Sequence, residues 1–213
     1  MLSSYYTVKD SGTNEITINK SRFIAHVKRV TSENEAQEFI HGVKKEHASA
    51  THNCSAYMIG ENDEIQKAND DGEPSRTAGV PMLEVLKKRN LKDTCVVVTR
   101  YFGGIKLGAG GLIRAYGSAV TEGINAVGVV ERQLMNVVSV TLDYTWLGKI
   151  ENEIRQSPYL LKDILYEESV SFLVYVSVDD KIAFNDWVTN ITNGQGLIEE
   201  KEATYLETDV TEK

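Results

Sequence analysis

The spacing of apolar residues changes period several times along the chain, and each change marks an element. EITINKSRFIAHVKRV (15–30) reads as a β-hairpin turning near Asn19-Lys20. Ser32 followed by Glu35 has the spacing of a capping box, ahead of a helix that carries Ala36, Phe39, Ile40 and Val43 on one face. NCSAYMIG (53–60) and residues 64–69 read as strands. Thr77 is placed to cap a helix through Met82, Val85 and Leu86, and TCVVVTRYF (94–102) has the apolar run of a buried strand. LIRAYGSAVTEGINAVG (112–128) returns to helical spacing, with Ala115, Ala119 and Gly123 small enough to approach a sheet closely.

After residue 135 the pattern starts afresh. MNVVSVTLDY (135–144) alternates and is rich in β-branched residues, which predicts a strand. Leu147, Ile150 and Ile154 then fall at helical spacing before Pro158. DILYEES (163–169) and SFLVYVSV (171–178) read as two strands with almost no gap. Ile182, Phe184, Trp187, Val188 and Ile191 line one face of a second helix, and LIEEKEATYLE (197–207) closes as a strand. The order βαββαβ is that of a ferredoxin-like split βαβ. The whole is therefore predicted to be an α+β protein of two domains, 1–135 and 136–213, with no low-complexity linker and no internal repeat.

Charge sharpens that division. The net charge of −8 is unevenly spread: residues 1–135 carry 17 Lys and Arg against 16 Asp and Glu, whereas residues 136–213 carry 6 against 15. An acidic total thus leaves the first domain free to meet phosphate, and the asymmetry predicts two modules with different tasks. No stretch approaches the roughly 20 apolar residues of a membrane helix, and MLSSYYTVKD has no basic start followed by an apolar run, so no signal peptide is read. Cys54 and Cys95 are the two cysteines, too few for a disulfide scaffold, which favours a reducing compartment and a cytoplasmic location.

The densest candidate chemistry lies in TRYFGGIKLGAGGLIRAY (99–116), where Gly103, Gly104, Gly108, Gly110 and Gly111 fall within nine positions. The segment fits neither phosphate-loop signature: G-x-G-x-x-G fails because Ile113 occupies the sixth position from Gly108, and the P-loop fails because Ala109 and Gly110 follow Gly108. A strand, a glycine-rich turn and a helix start nevertheless gather free backbone N–H groups at one point, which is an anion site by construction. Arg100, Lys106 and Arg114 bracket that point, and as surface cations their loss would barely change stability. The alternative is that the glycines serve a tight strand-to-helix crossover. Tyr101 and Phe102 could stack on bases, although one of two consecutive strand residues normally faces the core.

Two further groups offer competing readings. Asp70, Asp71 and Glu73 in NDDGEPSRTAGVP (69–81) could hold a divalent ion, but Asp-Gly followed by Glu-Pro is strong turn chemistry, and the triplet lacks an ordered metal-loop spacing. The structural reading is preferred, with no metal and no cofactor expected. His52 and Cys54 share a strand face and could form a nucleophile–base pair, yet no third orienting group is evident, and a buried cysteine is the commoner arrangement.

NDDGEPSRTAGVPML together with VVVTRYFGGIKLGAGGLIRAYG resembles the signature of the YigZ/IMPACT family, and the βαββαβ module resembles the C-terminal domain of its bacterial two-domain branch. The resemblance implies a first domain similar to a two-layer α/β fold, as in domain IV of elongation factor G, and a second similar to domain V of that factor. It also implies a role in translation: the eukaryotic relative regulates initiation under stress through a protein partner, and nucleic-acid binding has been suggested for the bacterial branch. It brings no catalytic residues. The expected function is non-enzymatic binding of RNA or the ribosome through Arg100, Tyr101, Gly103, Gly104, Lys106, Gly108, Gly110, Gly111 and Arg114. A protein-docking module for a translation-control partner is the alternative, and a Cys/His or metal-dependent hydrolase a third.

Overall fold

The computed structural model describes residues 1–210. Two compact units emerge, one of Met1–Arg132 with the chain from Glu207 onward, the other of Gln133–Leu206.

In the first unit a five-stranded antiparallel sheet is formed by β2 (Gly12–Ile18), β3 (Ser21–Arg29), β4 (His52–Ile59), β5 (Ile65–Asn69) and β6 (Thr94–Tyr101), in the order β2-β3-β6-β4-β5. The hairpin turns at Asn19 and Lys20 as the sequence predicts. Their φ of 46° and 64° give two successive left-handed residues, the requirement of a two-residue turn matched to strand twist. Strand alternation splits the central strand between two cores. Val96 and Val98 join Phe23, Ala25 and Met58 beneath α2 (Gly79–Lys88) and α3 (Gly108–Val127), while Cys95 and Val97 meet Ala36, Ile40 and Val43 of α1 (Glu33–Glu46) on the other face.

The caps show where local chemistry decides and where it does not. Ser32 accepts from the Glu35 N–H at 3.2 Å, so the expected cap forms, while the Glu35 carboxylate reaches one residue beyond the capping-box position and takes the Thr31 N–H at 2.7 Å. Thr77 does not cap α2. Its hydroxyl donates to the Pro74 carbonyl, and the first N–H groups of α2 go instead to Asp70, whose Oδ1 accepts from Ala78 at 3.0 Å and Gly79 at 2.9 Å. A carboxylate serves an N-terminus better than a hydroxyl because it also meets the positive end of the helix dipole.

The second unit contains α4 (Leu147–Gln156), β8 (Leu160–Tyr166), β9 (Val170–Val176), α5 (Lys181–Ile191), β10 (Leu197–Glu200) and most of β7 (Val129–Leu142). Its strands run β10-β7-β9-β8, every neighbouring pair antiparallel, which is the ferredoxin-like arrangement predicted from the βαββαβ order. Phe172, Val174, Ile150, Ile154, Phe184 and Val188 fill a core of its own. Two features escaped the sequence reading. Residues Ser4–Val8 form a strand, β1, and the expected closing strand is broken into β10 and β11 (Thr204–Asp209). The end of β11 is held in the first unit, where Glu207 pairs with Arg29 at 2.6 Å and Arg132 at 3.1 Å, and the Val210 N–H donates to Val129.

Because the second unit buries its own core, residues 133–206 expressed alone are expected to give a folded domain with one cooperative thermal transition. Circular dichroism through a melt checks this, and a flat, non-cooperative signal would count against an autonomous core.

Candidate functional site

The site grows from the alternation of β6. Arg100 keeps the phase of Val96 and Val98, so its side chain enters the face covered by α2 and α3, where it is 5% exposed. An unpaired guanidinium there would be prohibitively costly. Glu73 answers it: Arg100 Nη1 donates to Glu73 Oε1 at 2.6 Å, and the Tyr116 hydroxyl of α3 donates to the same oxygen at 2.8 Å. Burial drives the Tyr116 hydroxyl far above its usual range, aided by Cys54 and Glu73, so it remains a donor. The guanidinium also lies 5.4 Å from the ring of Phe23 and 5.5 Å from that of Phe102, within cation–π range.

The turn that delivers Glu73 explains the acidic triplet. Asp71 and Gly72 adopt φ of 46° and 87°, and the Glu73 N–H closes the turn on the Asp70 carbonyl at 2.9 Å. Asp70 caps α2; burial acts to raise its carboxyl, but the N–H groups of Arg76, Gly79 and Ala78 outweigh burial and hold it below the usual range. Asp71 takes Lys44 Nζ and the Asn53 N–H, each at 2.6 Å. All three carboxylates are thus engaged by protein donors.

The glycine segment follows directly from β6. A Cβ on Gly103 would lie 2.1 Å from the Lys20 carbonyl carbon and oxygen, so only glycine lets the chain pass the β2–β3 turn. Gly104 and Gly108 have φ of 85° and 68°. Helix α3 begins at Gly108, four residues earlier than the apolar spacing suggests, which makes Gly108, Gly110 and Gly111 its first turn. The first N–H groups of any helix lack intrahelical partners, and among the described residues the N-cap Leu107 makes no side-chain cap and no acidic residue occupies the first turn. The helix start, Thr51, His52, Glu73, Arg100, Phe102 and Lys106 enclose a cavity of about 410 Å³.

The predicted site residues divide accordingly. Arg100, Lys106 and Gly108 converge on this cavity. Arg114 is exposed and lines a separate depression with Gly111, Leu107 and Asn19, while Gly110 faces its guanidinium. Tyr101 turns to the opposite face of the sheet, where its hydroxyl meets His47 Nδ1 at 2.9 Å and Arg22 stacks over its ring. The expectation that Arg100 is a dispensable surface cation is overturned, because its phase on β6 buries it against Glu73. Sequence reasoning kept Glu73 within the acidic triplet and did not pair it with Arg100. The available signal was an arginine in phase with core valines, which demands a buried carboxylate.

The structure also speaks to the His52–Cys54 pair. His52 Nδ1 donates to the Asp71 carbonyl at 2.8 Å, and its Nε2 stands 3.7 Å from Glu73, so an orienting group exists after all. Cys54, however, is buried, and burial pushes its thiol up to about 12, with its S–H directed to the Asp70 carbonyl at 3.0 Å. A thiol so placed is a packing group rather than a nucleophile.

Residues 19–124 match the Impact N-terminal domain, and residues 140–195 match a domain of unknown function, DUF1949. The chain is 68% identical to the IMPACT family member YvyE of Bacillus subtilis (strain 168), over 97% of this chain and 95% of the relative. It belongs to the IMPACT family. A protein IMPACT homolog of Dictyostelium discoideum is 44% identical over 97 residues, covering 44% of this chain and 28% of that protein. A solved structure described as that of a hypothetical protein superposes with a TM-score of 0.60 at 28% identity, spanning 95% of this chain and 99% of its own. The Impact N-terminal match contains the glycine loop, Arg100 and Glu73 alike.

Glu73→Ala is expected to cost about 3–5 kcal/mol of stability, because it strands a buried guanidinium, whereas Lys106→Ala stays within about 0.5 kcal/mol. Urea unfolding of the two variants against the parent checks the contrast. Cys54 and Cys95, both buried, should resist a thiol reagent at neutral pH and react once urea unfolds the chain; rapid labelling of Cys54 in the folded protein would restore it as a candidate nucleophile.

Proposed function

We propose that this IMPACT protein is a non-enzymatic, cytoplasmic binding component of the translation apparatus, contacting RNA or the ribosome through the glycine-rich loop of its first unit. The observation that carries the reading is the uncapped start of α3, whose free N–H groups stand beside the exposed Lys106 at the mouth of one cavity. The family resemblance to a translational regulator supports it, and so does the near-neutral charge of the first domain beside an acidic second one. The second domain, with 6 Lys and Arg against 15 Asp and Glu over residues 136–213, repels phosphate and is suited to a basic protein. Among the described residues no helix is long and apolar enough to cross a membrane.

A protein-docking role is the second reading, favoured by three exposed apolar side chains near the loop: Phe102, Ile105 and Ile113 are 46%, 43% and 44% exposed. The two readings differ in salt dependence, since phosphate contacts release counterions and an apolar interface does not.

The test uses exposed cations only, because removing Arg100 would also break the buried pair. Lys106→Ala with Arg114→Ala should leave the melt unchanged and flatten the log–log salt dependence of RNA or ribosome binding by about 1.4 to 1.8 units, if each cation contacts one phosphate. Unchanged affinity and slope in this folded variant would remove the RNA reading; salt-insensitive binding of a protein, abolished by Ile105→Asp, would put the docking reading in its place.

A further inference from the structure

We propose that the free edge of β8 in the second unit docks a second copy of this chain, strand against strand and antiparallel, across a two-fold axis at the Lys162–Asp163 peptide. Among the described residues β8 pairs with β9 alone, so its other edge offers backbone groups to a further strand. Leu160, Leu165 and Tyr166 along it are 54%, 40% and 61% exposed. An apolar edge does not by itself name its occupant. The residues of this one do.

Residues 159–166 are YLLKDILY, whose chemical types follow the same order from either end apart from the sign of the central charges. Tyrosine and two branched aliphatic residues lead inward on each side to lysine and aspartate. A two-fold interface sets one patch against itself, so such a strand suits its own copy. Pairing about the centre puts Leu160 opposite the partner's Leu165 and Leu161 opposite the partner's Ile164. Lys162 then meets the partner's Asp163, and by symmetry this contact occurs twice.

A regular strand could not pair in this way. Leu160 and Leu165 are five positions apart and Leu161 and Ile164 three, so strict alternation would put the members of each pair on opposite faces. β8 is not regular. Its register with β9 shifts between Leu161 and Asp163, which makes Lys162 an extra residue at the centre of the palindrome. Leu161 and Ile164 consequently both pack on the core of the second unit, while Leu160, Lys162, Asp163 and Leu165 are all exposed. Each inner side chain thus shares a face with the one it would meet.

The central charges are a second observation. Among the described residues neither Lys162 nor Asp163 is in an ion pair: Lys162 Nζ lies 5.8 Å from the centre of the Tyr175 ring, and Asp163 Oδ1 takes the neighbouring Ile164 N–H at 2.8 Å. A lysine and a bulge ordinarily blunt an edge against stray strands. Here the lysine repels a strand with a cation at the facing position and accepts one with aspartate there, so the same charge selects the mate. Residues 136–213 carry 6 Lys and Arg against 15 Asp and Glu, so two copies repel at long range and the local register must hold them. A single pair of short strands makes a small interface, which implies a weak, reversible dimer.

Sedimentation velocity of the full chain, from micromolar to millimolar concentration, tests this at about 0.15 M salt, where exposed charges more than about 8 Å apart are screened. The parent should show a concentration-dependent monomer–dimer equilibrium. Lys162→Asp and Asp163→Lys should each weaken it about tenfold or more, because each places like charges opposite at both symmetric positions. An equimolar mixture of these two variants should recover a dimer of one copy of each, and so should the double variant, since every facing pair is again lysine against aspartate. Thermal melts matching the parent show that the variants are folded. A chain that stays monomeric to millimolar concentration overturns the proposal. So does a dimer indifferent to both single variants, or one that neither the mixture nor the double variant restores.

Discussion

Glu73 and Arg100 are two charges that water would stabilise separately and that the fold holds together away from it. Desolvating either alone costs several kcal/mol, so neither can be placed without the other. Their bond at 2.6 Å, shared with Tyr116, therefore ties the turn at 70–77 to the end of β6 and the third turn of α3. The same turn is fastened elsewhere by its other acids: Asp70 to the start of α2, Asp71 to β4 and to Lys44 of α1. Three carboxylates that look like a metal cluster in one dimension are three separate clasps in space.

The cavity inherits its form from that arrangement. One wall is the buried pair and its neighbours, fixed by the cost of separating them. The other is backbone, the glycine segment and first turn of α3, where the absence of side chains leaves N–H groups uncovered. Gly103 gives this wall its position, since the chain must pass within van der Waals distance of the Lys20–Ser21 backbone. On the function proposed above, a rigid charged wall facing a bare backbone wall would serve an anion with little reordering of its donors.

The two units divide the electrostatic work. The first unit contains the Impact N-terminal match and the cavity, and its sequence is nearly balanced in charge. The second is built on a common ferredoxin-like frame, has its own core and carries most of the acidic excess. On the proposed function, a negative surface there would discourage loose attachment to nucleic acid and leave attraction to the local geometry of the first unit.

Much of this was legible in one dimension because its causes are local. Period-two and period-3.6 spacing, Ser32 with Glu35, and Asn19-Lys20 each act over a few residues, and they yielded most of the strands and helices, the βαββαβ order and the glycine loop. The motif text led further, to the IMPACT family. The errors lie where distant groups decide. Thr77 lost its capping role to Asp70, an acid seven residues away whose charge suits the helix dipole better. Arg100 passed for a surface cation because its partner, Glu73, is 27 positions distant and reads as a turn residue. Tyr101 and Arg114 were grouped with Lys106 by sequence proximity, yet strand alternation sends Tyr101 to the far face and the helix turns Arg114 toward another depression. Sequence alone determined the elements, their order and the family, since those follow from short-range sterics and pattern. Only the tertiary structure decided which charges are buried, which are paired and which share a cavity, because burial and Coulomb attraction depend on separation in space rather than along the chain.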